Sequence, residues 1–267
     1  MVLVVAGIIF AVYSAGYRYD TVKFSDVVTA EKYTIVFVGK VDPNGVPISG
    51  KLTYKDGLKA TVGRTENNIV RVEYSNGWVY EGDFTALHRN GYGTLTMSGG
   101  DVYSGNFFYD RMWGNGVYTY GNGDKYTGEF ENNKKCGDGV YQFANGNKYV
   151  GKFENDLRNG EGVFNYASGD VYEGAFVNDI KNDDNAKMII NTDSGVDVYV
   201  GSFVNDRKDG YGTYTFANGD TYEGELRMDY ISGHGKYTWV IPKRTSMRQA
   251  RSGKGSARRP MRISWRT

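Results

Sequence analysis

A tyrosine and a glycine recur together along this chain at an almost constant interval. The tripeptide Tyr-x-Gly occurs seven times between residues 80 and 224, and successive tyrosines are 23, 23, 23, 23, 27 and 23 residues apart. Eleven residues after the tyrosine comes a Gly-x-Gly, except in the fifth unit, which carries the four-residue insertion. Such a period predicts one supersecondary unit per repeat, with units that bury their apolar faces by stacking on each other. The repeat positions that we expect to hold the structure are Tyr80, Gly82, Phe84, Gly91, Gly93, Tyr103, Gly105, Tyr126, Gly128, Phe130, Gly137, Gly139, Tyr149, Gly151, Tyr172, Gly174, Tyr199, Gly201, Gly210, Gly212, Tyr222 and Gly224.

The third unit illustrates the expected fold of one repeat. Tyr126, Gly128 and Phe130 alternate with polar residues, so in a strand they share one face. A loop is predicted at 131–136, followed by a second strand that carries the Gly-x-Gly on the same face. The dipeptide Asn145-Gly146 predicts a tight turn of the primed type. Each repeat is therefore expected to be a β-hairpin, and the next hairpin begins directly.

The glycines on the aromatic face need an explanation, because glycine weakens a strand. We expect Gly128, Gly137 and Gly139 to leave slots in which Tyr or Phe rings of a neighbouring strand lie flat. Burial of one ring contributes roughly 1.5–3 kcal/mol, which exceeds the entropic cost of about 0.5–1 kcal/mol for a glycine. A lone hairpin is marginal in water. The predicted fold class is therefore all-β, an elongated, twisted antiparallel sheet of stacked β-hairpin repeats, with a short N-terminal apolar helix.

The pattern resembles the MORN repeat, whose units read YxGxFxxxxxxGxGxxxxxxGDxYxG. The resemblance covers residues 76–239, and the segment 33–75 is interpreted as two degenerate hairpin repeats. The fifth unit departs from the pattern because it lacks the Gly-x-Gly. The resemblance implies binding of anionic phospholipids, as in some members, and repeats that accompany lipid kinases or methyltransferases, as in others. No such catalytic domain fits within the 267 residues.

The N-terminus is apolar: residues 1–17 contain no charged side chain. This length is near the lower limit for a membrane-spanning helix, and we interpret it as a single-pass membrane anchor. A cleaved signal segment, which would make the protein secreted, and a truncated or buried strand are the alternatives. Arg18, Lys23 and Lys32 follow the segment, which favours a cytoplasmic body. Residues 18–32 are predicted to be a linker.

The repeat pattern stops at residue 240, and the segment 240–267 is rich in Lys, Arg and Ser. Nine of the 32 basic residues lie from Lys243 onward with no acidic residue, so the first 242 residues hold 23 basic and 31 acidic side chains, a net charge of −8. We expect this basic tail to be disordered. It could shield the edge of the sheet, or it could reflect an altered reading frame.

Motifs for catalysis and ligand binding are weak. Every Gly-x-Gly lacks the third glycine of a dinucleotide fingerprint, and the segment 146–152 fails as a P-loop because Phe153 follows its lysine. His88 and His234 stand at different phases of the repeat and are interpreted as surface residues. Asp183-Asp184 lacks the spacing of a calcium loop, and Cys136 has no histidine near it in sequence. We therefore expect no catalytic residues, no cofactor, no metal site and no nucleic-acid partner.

Two classes of function remain after these exclusions. The first is a non-enzymatic, membrane-tethered scaffold that mediates protein–protein contact or self-association. The second is binding to an anionic phospholipid surface, such as one containing phosphoinositide, through the repeats or the basic tail. A third interpretation, that of a regulatory repeat segment, rests on the family resemblance alone.

Overall fold

The computed structural model describes residues 17–25 and 32–240, with side chains from residue 34, and the regular structure in these residues is β-strand throughout. The chain separates into two compact units, Met1–Gly160 and Glu161–Thr267. Within the described residues there is no helix that could cross a membrane. The predicted anchor, apart from Tyr17, and the basic tail, apart from Val240, lie outside the described residues.

The first unit is a ladder in which each strand pairs antiparallel with the next one along the chain. Its strands are β1 Tyr17–Ser25, β2 Lys32–Val41, β3 Pro47–Thr53, β4 Lys59–Arg64, β5 Val70–Tyr74, β6 Val79–Thr85, β7 His88–Thr96, β8 Val102–Phe108, β9 Arg111–Thr119, β10 Lys125–Glu131, β11 Lys134–Gln142 and β12 Lys148–Glu154. The predicted linker at 18–32 is therefore wrong for residues 18–25, because these residues lie in β1 and pair with β2.

The second unit is built in the same way, and β13 (Leu157–Asn165) crosses the boundary between the units. Its remaining strands are β14 Val171–Val177, β15 Ile180–Lys181, β16 Asp183–Thr192, β17 Gly195–Val204, β18 Arg207–Thr215, β19 Thr221–Arg227 and β20 Tyr230–Thr238. Strand β14 pairs with both β15 and β16, and from β16 to β20 each strand pairs with the next. The antiparallel hairpin architecture expected from the repeat is thus confirmed.

The turn within each hairpin is shorter than predicted. Asn132 and Asn133 have φ values of 52° and 67°, which define a two-residue type I′ turn between β10 and β11. The predicted loop at 131–136 is wrong, because Glu131 and residues 134–136 belong to the strands. The same pair of positive φ values recurs at Ala86–Leu87, Tyr109–Asp110, Asn155–Asp156, Asn178–Asp179, Asn205–Asp206 and Met228–Asp229.

The turn between successive hairpins also differs from the prediction. Gly146, with φ of 90°, is the single residue of this turn that has a positive φ. Its N–H donates to the carbonyl of Phe143 at 3.0 Å, and the N–H of Phe143 donates to the carbonyl of Asn147 at 3.0 Å. This is a type I turn followed by a left-handed glycine. The primed turn predicted at Asn145-Gly146 is wrong, and the primed turns lie at the other end of the hairpin.

The core of each repeat is a tyrosine ring that lies across two glycines. Tyr126 is fully buried, and a Cβ added to Gly128 on its own strand or to Gly139 on the paired strand would lie less than 3 Å from the Tyr126 side chain. The glycines therefore provide the space that the ring occupies. The same arrangement is formed by Tyr80 with Gly82 and Gly93, Tyr103 with Gly105 and Gly116, Tyr199 with Gly201 and Gly212, Tyr222 with Gly224 and Gly235, and upstream by Phe37 with Gly39 and Gly50.

The first glycine of each Gly-x-Gly has a different role. Gly137 has a φ of 57°, and the register shifts here, since Gly128 faces Gly139 while Glu129 faces Cys136. A Cβ at Gly137 would meet the carboxylate of Glu129 rather than a ring. The prediction of a ring slot at Gly137 is therefore wrong; this glycine forms a β-bulge. Positive φ values also occur at Gly91, Gly114, Gly160, Gly210 and Gly233.

Each buried tyrosine of the Tyr-x-Gly motifs keeps its hydroxyl hydrogen-bonded. The hydroxyl of Tyr126 donates to the carbonyl of Glu129, three residues later, at 3.1 Å. Burial raises the pKa of the Tyr126 and Tyr199 phenols, to about 12 for Tyr199, so these hydroxyls stay neutral donors at physiological pH. The equivalent bonds run from Tyr80, Tyr103, Tyr149, Tyr172, Tyr199 and Tyr222 to the carbonyls of Asp83, Asn106, Lys152, Ala175, Ser202 and Glu225, at 2.6–3.0 Å.

Phenylalanines close the gaps between successive tyrosines. The ring of Tyr103 meets Phe107 of its own repeat at 5.0 Å and Phe130 of the next repeat at 5.1 Å, both edge to face. Tyr126 continues this alternation with Phe130 at 5.1 Å and Phe153 at 5.0 Å. Edge-to-face pairs add roughly 0.5–1.5 kcal/mol each beyond burial. A repeat therefore completes its core only with the phenylalanine of its neighbour.

The fifth repeat keeps its buried tyrosine without a Gly-x-Gly. Asp183 takes the place of the first glycine, and its carboxylate accepts the N–H of Ala175 at 2.6 Å. Ala186 is buried opposite Gly201, in the place of the second glycine. Of the four extra residues, one is absorbed by the register shift between Asp183 and Ala186. The other three lengthen the β16–β17 hairpin, because Met188 and its partner Tyr199 are 11 residues apart where Tyr141 and Tyr149 are 8 apart.

The ring-over-glycine packing makes a direct prediction for stability. Gly139→Ala should destabilise the first unit by about 1–3 kcal/mol, because the added methyl overpacks the Tyr126 ring. Gly63→Ala, also in a strand of the first unit, is the matched control: its Cβ would meet nothing within 4 Å, so the change should be neutral or stabilise by about 0.4–1 kcal/mol. Urea unfolding of both variants measures the difference. Equal midpoints would show that the ring does not need the space.

Candidate functional site

The type I′ turns of successive repeats are tied together by their second residue. The N–H of Lys135 donates to Oδ1 of Asp156 at 2.9 Å, and the N–H of Asp156 returns a bond to the carbonyl of Lys135 at 3.0 Å. We call this reciprocal pair a turn clamp. Turn clamps also join Arg89 to Asp110, Met112 to Asn133, Lys181 to Asp206 and Lys208 to Asp229.

A second set of carboxylates joins the repeats at the opposite ends of the strands. Oδ1 of Asp124 accepts the N–H of Ala144 at 2.8 Å, and Oδ2 accepts the hydroxyl of Tyr141 at 2.9 Å. The hydrogen bond from Ala144, followed by those from Tyr141 and Asn122, holds the pKa of Asp124 below its usual range. We call these acids the carboxylate row; its members are Asp101 and Asp124 in the first unit and Asp197 and Asp220 in the second.

The tyrosines held by the carboxylate row belong to a line of partly exposed rings. In the first unit the ring centroids of Tyr118 and Tyr120 are 4.4 Å apart, Tyr120 and Tyr141 are 5.8 Å apart, and Tyr141 and Phe143 are 4.5 Å apart. These four rings, the unit 1 row, are each half-buried. They lie outside the Tyr–Phe core, yet they are in contact with one another.

The second unit has an equivalent line, the unit 2 row, made of Tyr214, Phe216, Tyr237 and Trp239. Successive centroids are 4.6, 5.7 and 4.7 Å apart. Tyr214 is buried, Phe216 and Tyr237 are half-buried, and Trp239 is 68% exposed. In the irregular fifth repeat, Met188 pairs with Tyr172 and Tyr199 at the position that Tyr141 occupies in the third.

Buried cations lie beside the rings. The ammonium of Lys135 is 5.3 Å from the ring centroid of Tyr141 and 5.6 Å from that of Tyr120, and it donates to the Tyr120 hydroxyl at 3.0 Å. Its charge is offset by Asp156 at 3.8 Å. Lys208 is buried in the second unit, where burial lowers its pKa, although Asp229 at 3.9 Å opposes the shift. Lys135 thus supports the unit 1 row, whereas Lys208 lies beside the core rings of Tyr199 and Phe203, at 5.7 and 5.9 Å from their centroids.

The residues considered for chemistry in the sequence are not brought together. His88 is buried rather than at the surface as predicted, and its Nδ1 meets a carboxylate oxygen of Asp110. His234 is exposed on β20, and burial raises the pKa of the Cys136 thiol. Both carboxylate oxygens of Asp183 accept hydrogen bonds from backbone N–H groups. Among the residues that the structure describes, no group of three or more His, Cys, Asp or Glu side chains could hold a metal ion.

Sequence reasoning missed the two aromatic rows. The alternation in the second strand predicts only that Tyr141 and Phe143 share a face with Gly137 and Gly139, and it does not separate Tyr141 from the core tyrosine Tyr126. The available signal was a second aromatic period, visible as Tyr118-x-Tyr120, Tyr141-x-Phe143 and Phe164-x-Tyr166. An aspartate of the preceding repeat accompanies the first two of these pairs.

Comparisons with known proteins agree with this architecture. The family model of the MORN repeat matches residues 80–102, 103–125, 126–148, 149–171, 199–221 and 222–241, which is half of the chain and omits the irregular fifth repeat. No relative among the curated proteins matches the chain by sequence.

Solved structures show only a distant likeness to this chain. The TCP10 domain of Danio rerio CPAP is similar at 12% identity and a TM-score of 0.40, over 76% of this chain and 95% of that domain. The same domain in complex with a peptide of Danio rerio STIL is similar at 10% identity and a TM-score of 0.42, over 82% and 98%. At these values neither likeness bears on what this chain binds.

The turn clamps predict a graded response at Asp156. Asp156→Ala should lower the free energy of unfolding by about 1–2 kcal/mol, because the Lys135 N–H loses its acceptor and alanine is strained at a φ of 75°. Asp156→Asn should remain near wild type, because Asn133 forms the same clamp with Met112. Chemical denaturation of the two variants measures this. If Asp156→Asn lowered the free energy of unfolding as much as Asp156→Ala does, the effect would come from the charge and not from the clamp.

Proposed function

The chain belongs to the MORN-repeat family, and we propose that it is a non-enzymatic scaffold that binds a protein partner along the unit 1 and unit 2 rows. The observation that carries this proposal is the partial exposure of contiguous aromatic rings beside a fully buried aromatic core. Tyr126 and its equivalents supply the packing that the fold needs. The rows add ring surface that remains open to solvent, and aromatic residues are enriched at the centres of protein interfaces.

The side chains of the rows are also held in place before a partner arrives. Tyr118 and Tyr141 are fixed by Asp101 and Asp124 through their hydroxyls, and Tyr120 accepts a hydrogen bond from Lys135. A fixed ring loses little conformational freedom on binding, so its contacts convert into affinity with a smaller entropic cost. Repeat proteins commonly use such preformed, extended surfaces for recognition.

The proposal is tested by comparing two faces of the same protein. The double variant Phe143→Ala/Phe216→Ala removes one ring from each row, whereas Tyr92→Ala/Tyr211→Ala removes rings that are 60% and 58% exposed elsewhere on the strands. Proximity labelling in cells should lose its specific protein partners with the first variant and keep them with the second. Sedimentation of the purified chain separates self-association from binding of another protein.

Two outcomes would contradict the proposal. The first is loss of partners with Tyr92→Ala/Tyr211→Ala but not with the row variant, provided that circular dichroism shows both to be folded. The second is unchanged protein capture by the row variant together with loss of flotation on phosphoinositide vesicles. The second result would favour lipid binding through the rows. Loss of flotation only on removal of residues 240–267 would instead assign it to the basic tail, in keeping with the net charge of −8 over the first 242 residues, which opposes an anionic membrane.

The membrane tether is a separate part of this proposal. It rests on the 17 uncharged residues at the N-terminus. A fluorescent fusion of the full chain should sediment with membranes and resist extraction at high salt. Removal of residues 1–17 should release the fusion protein from the membranes. If high salt released both the full-length and the shortened protein, attachment would instead be electrostatic and through the tail. A cleaved signal segment would show itself as a shortened chain in the secreted fraction.

A further inference from the structure

The spacing of rings along the rows identifies the conformation of a ligand that would fit them. In the unit 1 row, Tyr120 and Phe143 occupy the same position in consecutive repeats, and their centroids are joined by steps of 5.8 and 4.5 Å through Tyr141. They are therefore at most 10.3 Å apart. In the unit 2 row the steps of 5.7 and 4.7 Å from Phe216 to Trp239 give at most 10.4 Å. Two strands at about 4.8 Å each give a repeat of about 9.6 Å.

Three regular backbone conformations can be compared with this period. A polyproline II helix has three residues per turn and a rise of about 3.1 Å, so it presents the same face every 9.3 Å or so. An α-helix returns to nearly the same face after seven residues, or about 10.5 Å. A β-strand repeats its face after about 6.7 or 13.4 Å. Polyproline II comes nearest to about 9.6 Å, with a mismatch of about 0.3 Å per repeat.

The charge beside the rows adds a second requirement. Asp101 and Asp124 border the unit 1 row, and Asp197 and Asp220 border the unit 2 row. Oδ2 of each aspartate accepts a hydrogen bond from the hydroxyl of a row tyrosine, at 2.7–3.2 Å. No lysine or arginine of the described residues forms an ion pair with these four acids. The nearby ammonium of Lys135 is already offset by Asp156. A ligand along the rows would thus meet the half-buried carboxylates of Asp101, Asp124 and Asp197, whereas Asp220 is itself buried.

We propose that the rows bind a proline-rich, arginine-containing segment of a partner protein in the polyproline II conformation, with one proline per repeat against the rings and one arginine per repeat toward the carboxylate row. Aromatic rings are the usual platform for such segments, because proline is apolar and the helix is already ordered before binding. Arginine suits the acids, since its planar guanidinium can meet a carboxylate that is already partly hydrogen-bonded. This inference rests on the proposed function and names the class of partner.

The test uses the full chain and fluorescently labelled peptides of defined conformation. A peptide of four Pro-Pro-Arg triplets should bind at least about tenfold more tightly than one of four Gly-Gly-Arg triplets, which carries the same charge without the preformed helix. A Pro-Pro-Glu peptide should bind at least about tenfold more weakly, because its charge is reversed. An amphipathic helical peptide with arginine and leucine at seven-residue spacing tests the competing conformation.

Variants locate the binding. Phe143→Ala/Phe216→Ala should weaken the Pro-Pro-Arg peptide by about tenfold or more, while Tyr92→Ala/Tyr211→Ala should leave it unchanged. Asp124→Asn/Asp197→Asn should weaken binding of the Pro-Pro-Arg peptide by about tenfold, because the charge-assisted hydrogen bonds of its arginines are lost. The fold should tolerate this change, because Asn147 stands at the corresponding position of the next repeat. Circular dichroism of each variant checks this.

The possible results separate this inference from the proposed function. Equal binding of the proline and glycine peptides, or tighter binding of the helical peptide, would overturn the polyproline assignment. If the helical peptide bound tightly and lost affinity in the row variant, the rows would still be a protein-binding face. If no peptide bound and the row variant kept its cellular partners, both proposals would be wrong.

Discussion

The fold depends on the contact between one tyrosine ring and two facing glycines. Because the Tyr126 ring crosses Gly128 and Gly139, no larger residue fits at either position without displacing it. Its hydroxyl reaches the carbonyl of Glu129, which allows a polar side chain to be completely buried. Phe153 of the following repeat covers the remaining edge of the ring. A single hairpin therefore has an incomplete core, so each repeat has to stack against the next one to bury its tyrosine ring.

Polar side chains at the strand ends reinforce this stacking without contributing to the core. Asp156 at the type I′ turn and Asp124 at the opposite end each accept a backbone N–H of an adjacent repeat. Such bonds contribute about 1 kcal/mol each, less than a buried ring. Their effect is directional: they fix the register of one hairpin against the next, where the apolar contacts alone would tolerate small shifts. Asn133 forms the same clamp with Met112, so a neutral amide oxygen at this position also accepts the bond.

The sequence predicts the strands and faces of this structure better than its turns. The alternation in Tyr126-x-Gly128-x-Phe130 determines which residues face the core, because only one face of the strand is aromatic. The β-bulge at Gly137 adds one residue to β11, and this shifts the positions at which the turns form. Asn145-Gly146 carries the strongest local signal for a primed turn, but there the strands are joined by a five-residue loop, 143–147, in which only Gly146 has a positive φ. The actual primed turn at Asn132–Asn133 was detectable from Asn155–Asp156 and Asn205–Asp206, since Asn and Asp tolerate positive φ.

The rows could not be predicted from the repeat alone, because the sequence does not distinguish an aromatic residue that the core requires from one that it leaves exposed. Tyr126 and Tyr141 face each other across β10 and β11, yet one is fully buried and the other only half-buried. Asp124 accepts a hydrogen bond from the Tyr141 hydroxyl, which fixes the position of this half-buried ring. Repetition then sets the distance from each such ring to the next. The spacing that stacks the hairpins is thus also the spacing that a bound partner has to match.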